Sequence, residues 1–191
     1  MASKPLSIDE VNNLSYEQFV SVFGSLFEQS PLIAAGVWSH RPFKSRESLY
    51  SALCNIVDTL PRAGKEGLLR CYPDLAGQLA HQGTLTPEST AEHRTAGLLE
   101  LTTAEQNELD SLNEAYKQKF GFPFVICARE NKVAAIIAGL KSRQNHGAEE
   151  EVTEAIGQSR PQTQFTGVVA PCTSCSEQHR TGSGAKTTFR V

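Results

Sequence analysis

The sequence predicts an all-α fold, a single-domain multi-helix bundle, and three observations carry that expectation. Serine- and threonine-led capping patterns recur along the first 157 residues. Apolar residues return behind them at intervals of three and four. Several prolines fall where helices would start or stop.

Taken in order, Ser7-Ile8-Asp9-Glu10 and Ser15-Tyr16-Glu17-Gln18 both match the capping box, in which a serine hydroxyl and the side chain three residues on satisfy each other's free amides. Behind the second, Phe19, Phe23, Leu26 and Phe27 share one helical face. Ser30-Pro31 supplies an N-cap and a first-turn proline for the segment Leu32–Trp38. Ser45 caps a longer helix whose Leu49, Leu53, Ile56 and Leu60 recur at four, three and four, and Pro61 stops it. A helix over Lys65–Cys71 follows; Pro73 ends it by pushing Tyr72 out of the helical region. Thr86-Pro87 starts the next, which carries Ser89, Glu92, Ala96 and Leu98. Thr103-Ala104-Glu105-Gln106 caps another, with Leu109, Leu112, Tyr116 and Phe120 on one face and Gly121 just past its end. Phe122 to Ala128 is a short apolar run, extended or the start of a buried helix, and helical stretches over Lys132–Arg143 and Glu149–Ile156 complete the domain.

Residues 1–157 thus read as one helical domain, and 158–191 as a divergent polar tail. Clustered Thr, Ser, Gln and Gly with no sustained apolar period mark that tail as disordered or loosely attached.

The 191 residues are enough to bury a core. A formal net charge of −3 leaves no electrostatic footprint for nucleic acid or an anionic membrane. No apolar run approaches the ~20 residues that span a bilayer, and Met1–Glu10 lacks the apolar stretch of a secretory signal, so an intracellular protein is expected. The five cysteines are odd in number and unevenly scattered, which is no disulfide framework.

Three stretches are candidates for chemistry. In Arg70-Cys71-Tyr72-Pro73-Asp74-Leu75-Ala76-Gly77 a proline fixes the chain after a helix end and Ala76-Gly77 permits close backbone approach; taken alone, the stretch reads first as a helix–helix turn with Asp74 as the next N-cap. Ser89 and Glu92 share a helical face, where Glu92 can accept from ring or ureido N–H groups; a displaced capping box is the plain alternative. His93 stands beside them. Phe120 to Ala128 is either simple core or a rigid apolar wall whose main-chain groups read the amide edges of a flat heterocycle. Cys127 has no neighbouring base in sequence and reads as a packed thiol. Cys172-Thr173-Ser174-Cys175 with His179 is half of a zinc site without a second pair, so no metal is expected. No Gly-rich phosphate loop, Gly-x-Ser-x-Gly elbow or His-Glu-x-x-His motif occurs.

In order along the chain, these stretches join others: Phe19-Val20-x-Val22-Phe23-Gly24, Pro31-Leu32-Ile33-Ala34-Ala35, Val37-Trp38-Ser39, Arg41-Pro42-Phe43, Gly83-Thr84-Leu85-Thr86 with Glu88-Ser89, and Ala96-Gly97-Leu98. The ordered set, spanning about residues 8 to 157, resembles the 2-oxo-4-hydroxy-4-carboxy-5-ureidoimidazoline (OHCU) decarboxylase family. The resemblance implies an all-α homodimer that removes CO₂ from its ureidoimidazoline substrate to give (S)-allantoin in urate breakdown, with no metal or organic cofactor. It implies that Tyr72 occupies the place of the family's catalytic histidine and that Pro73 lines the site. Ser89, Thr90, Ala91, Glu92 and His93 would form the polar face, with Glu92 as the ring-binding carboxylate. Phe124, Val125, Ile126, Cys127 and Ala128 would form the wall, where main-chain groups hold the substrate.

Three departures from the family pattern are visible. Tyr72, with an ordinary pKa near ~10 against ~6.5 for histidine, donates a hydrogen bond but shuttles protons poorly at neutral pH. His93 stands where the family has glutamine and is placed to take over the proton. Thr166 falls where the family's last helix carries a substrate-binding arginine, so weakened carboxylate binding and a core left open at that helix are expected. The alternative reading is a catalytically impaired relative or isoform acting as a non-enzymatic helical binding protein. The family is commonly peroxisomal; Phe189-Arg190-Val191 is not a Ser-Lys-Leu-type address, which leaves the cytoplasm as the default.

Overall fold

A computed structural model of the chain describes residues 5–72, 101–126, 133–161, 165 and 167–170. Its elements in order are α1 (Ile8–Asn12), α2 (Tyr16–Phe23), α3 (Pro31–Val37), a 3₁₀ turn (Trp38–His40), α4 (Arg46–Thr59), α5 (Arg62–Arg70), α6 (Thr103–Phe120), α7 (Val133–Arg143) and α8 (Ala148–Gln158). The all-α expectation holds. No helix among the described residues is long and apolar enough to cross a membrane.

Local chemistry explains most boundaries. Ser7 with Glu10 and Ser15 with Gln18 form the expected reciprocal caps, and Ser45 pairs the same way with Ser48. Such caps stabilise a helix by about 1 kcal/mol each. At α6 the cap is Thr102 rather than Thr103, because its hydroxyl meets the amide of Glu105, whose carboxylate reaches back. Gly121 closes that helix at φ +78°, a conformation only glycine adopts without strain. Helix α5 starts three residues earlier than its apolar pattern suggests, since Pro61 both ends α4 and caps α5. Helix α2 ends at Phe23, so Leu26 and Phe27 are buried from the following turn and not from the helix. Gly24 makes that turn possible: a Cβ there would lie 2.4 Å from the Val20 carbonyl oxygen and 3.1 Å from Pro31 Cβ.

Helix α2 packs on α3 and α3 on α4, while α5 packs on α8 and α6 on α7. One continuous core joins the two groups. Phe19, Phe23, Phe27, Ile33, Leu49 and Leu53 fill one part, and Leu69, Leu109, Tyr116, Phe124 and Ile136 another. The Arg41 guanidinium lies 3.0 Å above the Trp38 ring and donates through Nη1 to the carbonyls of Asn12 and Leu14, so this motif ties the 3₁₀ turn to the α1–α2 loop.

Past residue 157 the chain does not leave the domain over the part described. Arg160 bonds both oxygens of Asp58 at 3.0 Å. The Phe165 ring sits 5.2 Å from that of Tyr50, and Phe165 and Val169 are both buried. Leu6 donates to the Val168 carbonyl and accepts from the Ala170 amide, both at 2.8 Å, a parallel bridge between the two ends of the described chain. The core expected to stand open at the last helix is covered here by Phe165 and Val169. They sit four apart, with Val169 N–H donating to the Phe165 carbonyl in helical fashion, an apolar pair that the polar composition around it conceals. Residues 171–191, with Cys172, Cys175 and His179, lie outside the described residues.

Candidate active site

Tyr72 follows the C-cap of α5, its amide donating to the Leu69 carbonyl at 3.2 Å. Its side chain turns inward. The phenol donates to the carbonyl oxygen of Ser159, at the C-cap of α8, at 3.1 Å, and the Glu28 backbone also bonds it. Burial pushes its pKa up to about 12. At neutral pH the group is therefore a protonated phenol already committed to a carbonyl. It can orient and brace, but it is a poor proton relay.

The apolar wall begins at the end of α6. Residues 122–126 belong to neither helix nor strand, and Phe122, Phe124 and Val125 are buried while Ile126 is half-buried. Phe124 meets the edge of Tyr116 at 5.2 Å, and with Ile126 it lies against Gly139 of α7, where a Cβ would stand 3.4 Å from the Phe124 ring. A backbone without a ladder must be held some other way. Arg143, at the end of α7, donates from Nη1 to the Val125 carbonyl at 2.9 Å and lays its guanidinium 4.5 Å from the centre of the Phe124 ring.

Behind Arg143 stands a polar cluster that sequence reasoning missed. Glu151, on α8 and fully buried, accepts at Oε1 from Arg143 Nε (2.9 Å) and Nη2 (2.5 Å) and from the Tyr116 hydroxyl. Its Oε2 faces His146 Nδ1 at 2.7 Å. Burial, then the adjoining carboxylate, raises the Tyr116 pKa well above the usual phenol range. A signal for the cluster exists in the sequence. Glu151 falls on the stripe of Val152, Ala155 and Ile156, Arg143 on that of Ile136 and Leu140, and a charge on an apolar stripe is rarely unpaired.

Helix α8 thus carries two anchors, Glu151 for the wall and Ser159 for Tyr72. A further tie joins the two regions: Arg70 Nε, two residues before Tyr72, donates to the Gly121 carbonyl at 3.0 Å. Pro73, Ser89, Thr90, Ala91, Glu92, His93, Cys127, Ala128 and Thr166 lie outside the described residues. Among the described residues no group of three or more His, Cys, Asp or Glu is arranged to hold a metal ion.

Comparison with known proteins gives one consistent result. The family profile described as OHCU decarboxylase matches residues 12–164. The 2-oxo-4-hydroxy-4-carboxy-5-ureidoimidazoline decarboxylase of Xenopus laevis is 44% identical over 153 residues, covering 80% of this chain and 87% of that protein. The protein of the same name from Mus musculus is 46% identical over 149 residues, covering 78% and 84%. Among solved structures, the crystal structure of (S)-allantoin synthase superposes with a TM-score of 0.69 at 22% identity. That likeness, which carries the fold alone, covers 86% of this chain and 54% of the other, so this chain spans about half its length.

Proposed function

The chain belongs to the OHCU decarboxylase family, and from that premise we propose that it is a carboxy-lyase converting 2-oxo-4-hydroxy-4-carboxy-5-ureidoimidazoline to (S)-allantoin. The observation that carries this reading is the match over residues 12–164, joined to relatives of that name at 44% and 46% identity.

The chemistry asks little of the protein. The bond from the ring carbon to its carboxylate breaks, CO₂ departs, and the electron pair passes into the ring's carbonyl and imine system. A proton then adds to one face of the adjacent ureido-bearing carbon, and the hydroxyl on the carbon that lost CO₂ gives up its own proton to become the ring carbonyl. The enzyme desolvates the carboxylate, stabilises charge developing on the ring and delivers the proton. In this reading Glu92 and Ser89, with Thr90, Ala91 and His93 beside them, take the ring and ureido N–H groups. Main-chain groups of the wall from Phe124 to Ala128 hold the ring plane, and Pro73 lines the site. Tyr72 braces the site as a hydrogen-bond donor, and His93 supplies the proton that the family draws from histidine at the Tyr72 position. Assembly as a homodimer and the family's peroxisomal setting belong to the same proposal; light scattering of the full chain and a fluorescent fusion test them.

The deciding experiment generates the substrate freshly and follows (S)-allantoin by circular dichroism against the uncatalysed rate. The chain should exceed that rate, and His93→Ala should cost roughly 10²–10⁴-fold, the usual worth of general acid–base help. Equal progress with and without protein would refute the proposal in favour of a non-catalytic binding role. A large gain from Tyr72→His with no loss from His93→Ala would remove His93 as the proton source.

A further inference from the structure

The reaction outlined above makes no use of the buried Arg143–Glu151 pair, and stability alone does not explain it. Taking two charges out of water costs several kcal/mol per ion, and well-packed apolar residues in the same space are often as stable or more so. What an apolar pair could not do is hold a carbonyl. One face of the Arg143 guanidinium rests on Phe124, Nε and Nη2 grip one oxygen of Glu151, and Nη1 is left to aim at the Val125 carbonyl at 2.9 Å. Tyr116 and His146 in turn fix Glu151 from two sides. The planar fork sets carboxylate, ring and carbonyl relative to one another, which a lysine on its flexible stem cannot reproduce.

The wall needs such a device because residues 122–126 lie in neither helix nor strand. Along a chain with two soft torsions per residue, fixing one carbonyl constrains the neighbouring amides and carbonyls. From this geometry we infer that Arg143 and Glu151 are positioning residues for the decarboxylation. They fix the Val125 carbonyl and, through it, the main-chain groups of Phe124 and Ile126 on which the substrate ring is held. The inference rests on the decarboxylase reading.

Two variants test it beside the wild-type chain, using fresh substrate and the dichroism of (S)-allantoin, with melting curves to establish folding. Arg143→Lys keeps the charge but loses the fork. It should raise KM by roughly 10- to 100-fold through loss of binding shared by ground and transition states, with kcat changed much less. The triple variant Arg143→Met/Glu151→Leu/Tyr116→Phe replaces the cluster with apolar groups of similar volume; it should stay folded and show the same KM defect. A merely structural pair predicts the opposite, full activity once the fold is kept. Either variant folded with KM within about two-fold of wild type overturns the inference while leaving the decarboxylase reading intact. If the triple variant does not fold, Arg143→Lys decides alone. A wild-type chain with no activity overturns both.

Discussion

Truncating the Phe165 ring to alanine should lower the free energy of unfolding by about 3 kcal/mol, the low end of the range for a buried phenylalanine. The ring is 3% exposed, lies 5.2 Å from Tyr50 at a tilt of 51°, and belongs to the same core as Val169. Burial and the aromatic pairing alone would justify a value nearer 5 kcal/mol. Among the described residues, however, the segment is held by few contacts: Pro161, Phe165, Val168 and Val169, the Leu6 bridge and Arg160 with Asp58. Once the ring is gone, local detachment is cheaper than maintaining a cavity, and the loss cannot exceed the free energy of docking. At roughly 2–4 °C per kcal/mol for a chain this size, the melting midpoint should fall by roughly 6–12 °C. Urea denaturation of the full chain followed by far-ultraviolet dichroism reads the free energy, and a thermal scan on the same signal reads the midpoint. Detachment should also reduce the m-value, because the native state then exposes more surface. Gly167→Ala is the internal control. A Cβ there meets nothing within 4 Å, so the variant should be neutral or gain up to about 1 kcal/mol from helix propensity. A Phe165→Ala chain within about 0.5 kcal/mol of wild type would show that the ring is not part of the core, and the reasoning would fail.

Gly24→Ala should destabilise by about 1–3 kcal/mol in the same titration, since its methyl would collide with backbone oxygen rather than with a side chain that can move. An unchanged midpoint would mean that the α2–α3 turn relaxes freely. Tyr72 predicts an alkaline limb. Its folded pKa of about 12 lies above the ordinary 10.0, so the folded state holds the proton longer. The associated stability is present in full below the unfolded value and drains away as pH rises from there through the folded one. The difference between wild type and Tyr72→Phe should therefore be flat near neutrality and narrow only in that alkaline window; a change between pH 6 and 8 would contradict the assignment.

What could be read in advance was what is decided locally. The caps at Ser7, Ser15 and Ser45 and the glycine stop at Gly121 depend on residues within one turn, and each forms. Adjacent threonines defeat the same logic, because either Thr102 or Thr103 finds a partner three residues on and only the backbone path selects Glu105. Leu26 and Phe27 were legible as core but not as turn, since burial and helical phase coincide until Gly24 breaks the helix. Long-range partners left little trace. Nothing in the tail's composition announces that Val168 and Ala170 will bridge to the backbone of Leu6. Of the candidate site, Tyr72 and Phe124 to Ile126 are named by the family resemblance, whereas no motif singles out Arg143 or Glu151. Their positions on apolar stripes were the available clue.

Helix α8 acquires a constraint from carrying both anchors. Glu151 and Ser159 are eight residues apart, about 12 Å along an α-helix, and each must face its own partner. Inserting or deleting one residue between them would swing one anchor by about 100° around the axis, so that only one of the two regions could stay in register. Loops of this protein can absorb changes in length; this stretch of helix behaves as a gauge block, and its length should be the least negotiable dimension of the fold.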